Sequence, residues 1–138
     1  MPEGVGYGPQ NTASVGKDIH VIGKHAYAYS GLYAASTTPI TTLDFTTGNY
    51  YLVGSVQLNA AIDDDNASLS NASTLLIQFN GISIGLLRAG ADDAFNQDDS
   101  VSMDIIIPPY TLVTVKIDST GTQADRYLSA VITGTIHK

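Results

Sequence analysis

The twelve residues Leu75 to Leu86, LLIQFNGISIGL, constrain this chain more than any other stretch. Leu75, Ile77 and Phe79 alternate with their neighbours, and so do Ile82, Ile84 and Leu86. Between the two runs stands Asn80-Gly81, the pair that most readily supplies the two positive φ values of a type I′ turn. A two-residue loop predicts Phe79 opposite Ile82, Ile77 opposite Ile84 and Leu75 opposite Leu86. All six apolar side chains then share one face, and a slip of one residue would turn half of them to water. The chain must therefore bury this hairpin against another sheet.

Further alternating runs lie on both sides of the hairpin. His25–Tyr33, Ile40–Phe45, Tyr50–Leu58, Val101–Ile107, Val113–Ile117 and Leu128–Ile136 all read as strands. Thr47-Gly48-Asn49 and Ser119-Thr120-Gly121 read as turns, and Pro108-Pro109 must end a strand because proline donates nothing to a ladder. The segment Ala89–Gln97 has room for one helical turn at most. The expected fold is all-β: an eight-stranded antiparallel jelly-roll or β-sandwich.

Residues 1–17 show neither strand nor helix period and are rich in Gly, Asn, Ser and Thr. They are expected to form a flexible or extended N-terminal arm, with residues 18–138 as a single domain. The arm carries two large apolar side chains, Val5 and Tyr7, before Val15. It lacks the charged start and apolar middle of a secretion signal.

Composition excludes several classes of function. The formal net charge is −7, and the six Lys and Arg residues are scattered. A protein that tracks phosphates needs clustered cations to displace counterions, so no nucleic-acid partner is expected. No run of about 18 apolar residues exists, so no membrane partner is expected. There is no cysteine, hence no disulfide and no thiolate metal site. Charged residues make up only 14% of the chain, well below the quarter or so usual for soluble domains. Such a charge-poor surface fits either an interface or a Thr-rich β surface.

Catalytic motifs are absent. There is no Gly-x-Ser-x-Gly elbow, no His-Glu-x-x-His and no phosphate-binding Gly loop, and His20, His25 and His137 belong to no recognisable set. Neither an enzyme nor a cofactor is expected. The acidic stretches Asp63-Asp64-Asp65-Asn66, Asp92-Asp93 and Asp98-Asp99 lack the ordered frame of a calcium loop and read as solvated loops. Asn66-Ala67-Ser68 and Asn71-Ala72-Ser73 match the glycosylation sequon, which carries no weight without a secretory signal. The residues that stand out are tyrosines. Alternation over HAYAYSGLY sends Tyr27, Tyr29 and Tyr33 one way and Ala26, Ala28, Ser30 and Leu32 the other. A tyrosine row suits a subunit or capsid interface, the edge of a core, or a sugar-stacking platform.

The segments TTLDFTTGNYYLVGSVQL (Thr41–Leu58) and DIIIPPYTLVTV (Asp104–Val115), with the strand order, resemble small jelly-roll decoration or cement proteins of tailed bacteriophages. Similar strand patterns occur in trimeric heads of the tumour-necrosis-factor type and in viral fibre tips. The resemblance spans roughly residues 25–138 and brings no catalytic residues. It implies a homotrimer on the outer capsid surface of a virion, bound to the major capsid protein. Val5, Tyr7, Tyr27, Tyr29 and Tyr33 are then the candidate interface residues. A carbohydrate- or receptor-binding β-sandwich of a phage fibre or tail is the alternative.

Overall fold

A computed structural model describes residues 18–34, 36–62, 73–89, 99–119 and 126–138. Residues 1–17, with Val5 and Tyr7, lie outside the described residues, as do the acidic segment 63–72 and the stretch 90–98. Ten strands are present and no helix occurs among the described residues. They are β1 (His20–Ile22), β2 (His25–Tyr29), β3 (Tyr33–Ala34), β4 (Ile40–Thr46), β5 (Tyr51–Ile62), β6 (Ser73–Phe79), β7 (Ile82–Ala89), β8 (Asp99–Ile107), β9 (Leu112–Ser119) and β10 (Arg126–His137).

The expected number was eight. One added strand is β1, which pairs antiparallel with β2 across the Gly23-Lys24 turn. The other arises because the expected strand His25–Tyr33 splits. Gly31 adopts φ +78°, and the chain resumes as the short strand β3, paired with β10.

Two antiparallel sheets hold these strands. The six-stranded sheet runs β1-β2-β10-β5-β8 with β3 also on β10, and the four-stranded sheet runs β4-β9-β6-β7. After β3 nearly every connection crosses between the sheets, and only β6–β7 stays within one. The core lies between them. Leu52, Val56, Leu58, Leu128 and Ile132 of the larger sheet meet Leu43, Leu75, Ile77, Val113 and Ile117 of the smaller one, all essentially inaccessible to water. Each of these sits at an alternate position of its strand, the period-2 pattern that one buried face requires.

The Asn80-Gly81 turn forms as the sequence predicts, with φ +53° and +83°, and Phe79 pairs with Ile82. The register then departs from expectation. A β-bulge between Ile77 and Gln78 skips Ile84, so Ile77 faces Gly85 and Leu75 faces Leu87. Leu87 and Ala89 are buried instead, while Ile82, Ile84 and Leu86 are exposed at 69, 41 and 64%. The facing sheet packs closely at this point. A Cβ at the position of Gly85 would sit 2.4 Å from Met103 Cε on β8. The bulge brings the glycine to that spot, where an unbulged strand would have brought Ile84.

Thr47, 2% exposed, ties the strand ends together at one end of the sandwich. Its hydroxyl donates to the Pro108 carbonyl at 2.8 Å and accepts from the Thr111 N–H at 2.9 Å. Asn80 adds two bonds: its N–H donates to the Leu112 carbonyl, and its Oδ1 accepts from the Leu112 N–H. The β4–β5, β6–β7 and β8–β9 connections thus form one hydrogen-bonded end.

Candidate interaction surface

The outer face of the six-stranded sheet can be read from its register, because directly paired residues in antiparallel strands share a face. One row runs Tyr29, Val131, Gln57, Ser102; the next Tyr27, Thr133, Ser55, Asp104; the next His25, Thr135, Val53, Ile106. Beyond them Tyr51 pairs with His137. Tyr27, Tyr29, Tyr51, Val53 and Ile106 are each 41–59% exposed. Large apolar side chains left half in water across several strands are what an adhesive face presents.

Local sequence explains their placement. In β2 the small Ala26 and Ala28 are buried, which turns Tyr27 and Tyr29 outward. The His20 ring lies beside that of Tyr27, with centroids 5.4 Å apart and planes tilted 30°. Polar side chains between the tyrosines are tied down: Gln57 Nε2 donates to Asn59 Oδ1 at 2.8 Å, and Thr135 Oγ1 lies 2.9 Å from His137 Nε2. A shallow depression on the same face is lined by Val53, Ser55, Asp104, Ile106 and Thr133.

Tyr27 and Tyr29 stand together as the alternation predicts, and Tyr33 does not join them. Gly31 breaks the period, so Tyr33 is half-buried and packs on the core while Leu32 is 67% exposed. The expected directions of Tyr33 and Leu32 are therefore exchanged. Ser30 closes the end of β2: its N–H donates to the Ala130 carbonyl, and its hydroxyl accepts from the Ala130 N–H.

The sequence reading overlooked Tyr51, Val53 and Ile106. The signal for the first two was present, since they alternate with the core residue Leu52. Ile106 was hidden in the run Ile105–Ile107, where period alone does not tell inside from outside. Tyr110 was overlooked as well. It is 68% exposed and holds φ +53°, an uncommon backbone for a bulky residue.

Among the described residues no group of three or more His, Asp or Glu is placed to hold a metal ion, and no helix is long and apolar enough to cross a membrane. No family model, curated protein or solved structure matches the chain.

Proposed function

We propose that this chain is a structural virion protein of the outer phage head that binds the major capsid protein, as a homotrimer, and stabilises the shell. The observation that carries this reading is the outer face of the six-stranded sheet. Its exposed Tyr27, Tyr29, Tyr51, Val53 and Ile106 come from three strands, β2, β5 and β8, and among the rows described above Asp104 is the one carboxylate. Such a face suits adhesion to a broad protein surface, where aromatic anchors dominate the binding energy. The proposed role is adhesive rather than catalytic, and the anchors and hydrogen-bonded spacers of this face support it.

The strand order supports the finer architecture. With β2-β10-β5-β8 in one sheet and β4-β9-β6-β7 in the other, β2 and β4 to β10 follow the path of two interleaved Greek keys, the jelly roll of many capsid and lectin domains. A fold hosts many functions, so the order supports the architecture and the face supports the adhesion. The same face sustains the second reading, a carbohydrate-binding module of a fibre or tail. Tyr27 pairs with Thr133, and Ser55 and Asp104 follow on the next two strands of the same row, an aromatic side chain in line with polar groups that a sugar could use.

Co-sedimentation with capsids that lack the protein, run beside a soluble glycan panel, tests both. The first reading expects capsid binding that Tyr29→Ala weakens tenfold or more, about 1.4 kcal/mol. It also expects that deleting residues 1–16 weakens attachment by a similar factor while leaving the melting temperature of the free protein unchanged. Glycan binding without capsid binding would replace it with the second.

A further inference from the structure

Four adjacent strands of the larger sheet, β1, β2, β10 and β5, contain no Asp or Glu, although the chain has thirteen acidic residues. At one end of these strands four basic or imidazole side chains converge. The β1–β2 turn, Gly23-Lys24, is pinned to β10 by a 2.8 Å hydrogen bond from the Ile136 N–H to the Lys24 carbonyl. His25 pairs with Thr135, and His137 follows Thr135 by two residues on the same face. Between turn and strand lies a cleft of about 750 Å³ lined by Lys24, His25, Thr135, His137 and Lys138. Its two lysines and two histidines are exposed, in a chain whose net charge is −7.

The cleft adjoins the adhesive face. His25 stands in one row with Thr135, Val53 and Ile106, and His137 pairs with Tyr51. Asp104, the one carboxylate in that face's rows, lies on β8, beyond β5. A partner that covers Tyr51, Val53 and Ile106 therefore brings its own groups to the edge of the cleft. Covering a cation with no counter-charge is costly. A carboxylate set against ammonium and imidazole N–H groups instead forms charge-assisted hydrogen bonds, about twice as strong as neutral ones.

We infer that the cleft receives the carboxylates of an acidic segment of the protein partner that covers this face. The inference rests on the adhesive reading above and names the partner's chemistry at one end of the face. What adjoins the cleft favours a protein over an anionic glycan. Tyr51, Val53 and Ile106 are 50, 41 and 59% exposed, and such an apolar border matches a protein surface better than a hydroxyl-rich one. Nucleic acid is disfavoured by the acidity of the chain as a whole. Four donor side chains around one cleft suit two or more carboxylates close together, as in a short run of Asp or Glu.

The test is an amide-resonance titration of the full chain with hexaglutamate, beside a hexamer of galacturonic acid that carries as many side-chain carboxylates. Hexaglutamate should shift residues 23–25 and 135–138, and the shifts should vanish at about 1 M salt, where the screening length falls to about 3 Å. Lys24→Glu/Lys138→Glu should weaken hexaglutamate binding at least tenfold. Arg88→Glu/Lys116→Glu, on the smaller sheet, alters the net charge equally and should leave binding within about twofold. Dispersed resonances in both variants verify that they fold. No shift with hexaglutamate, an equal loss in the two variants, or tighter binding of the galacturonate would each overturn the acidic protein segment as ligand. Co-sedimentation with capsids separates this result from the capsid reading. Capsids bound equally by the wild type and by Lys24→Glu/Lys138→Glu would overturn the role of the cleft and leave capsid attachment standing. Hexaglutamate bound in the cleft of a chain that binds no capsid would support the acidic ligand and overturn capsid attachment.

Discussion

Gly54 and Gly134 face each other across β5 and β10, and neither position has space for a side chain. A Cβ on Gly54 would lie 1.8 Å from the Thr133 carbonyl oxygen and 2.5 Å from Gly134 Cα. A Cβ on Gly134 would lie 2.5 Å from the Val53 carbonyl oxygen. The obstacles are backbone atoms of two central strands, so the clash cannot be relieved by a rotamer change. Gly54→Ala should destabilise the domain by about 2 kcal/mol or more, read as a lower urea midpoint.

Gly81 makes the opposite case. A Cβ there meets nothing within 4 Å, so the cost of substitution is conformational alone. Gly81→Val should cost about 1 kcal/mol or more, because a β-branched residue resists φ +83°. Gly81→Asn, which tolerates the left-handed region, should retain most of the stability. Thermal denaturation of the two variants side by side distinguishes them.

The bulge in β7 gives a paired prediction. Leu86→Lys should leave the melting temperature within a degree or two, since that side chain is already in water. Leu87→Ala should cost about 2–4 kcal/mol by opening a cavity between the sheets. The unbulged register predicts the reverse order, so circular-dichroism melts decide between them.

Thr47 is a buried hydroxyl with both its roles filled, donating to Pro108 and accepting from Thr111. Thr47→Val keeps the volume and strands the Thr111 N–H and the Pro108 carbonyl. The expected loss is about 1–3 kcal/mol. Amide hydrogen exchange should quicken at Thr111 first, which locates the effect.

Tyr110 holds its left-handed backbone with the ring exposed, so the fold gains little from the side chain. Tyr110→Gly should be neutral or stabilising by up to about 1 kcal/mol, the relief of strain being partly offset by the entropy of glycine in the unfolded chain. Tyr110→Val should destabilise. Equilibrium unfolding of both variants reads the sign.

The sequence by itself determined the β class, the strand ends at Pro108-Pro109 and the Asn80-Gly81 turn. It determined equally the inward faces of β5, β9 and β10. These are local properties: period-2 alternation and turn chemistry act over a few residues whatever lies opposite. What the tertiary structure decided lies where the period breaks or where distant segments meet. The bulge at Ile77–Gln78 sets Gly85 rather than Ile84 opposite Ile77, against Met103 of the facing sheet, and so puts Leu87 rather than Leu86 in the core. Gly31, bending the chain so that β3 joins β10, buries Tyr33 and frees Leu32. The meeting of Lys24 and His25 with His137 and Lys138 around one cleft has no trace along the chain, because only the pairing of β2 with β10 brings these distant residues together. Alternation fixes which way a side chain points only until a bulge or a glycine shifts the phase, and the packing of one sheet on the other decides where that shift falls.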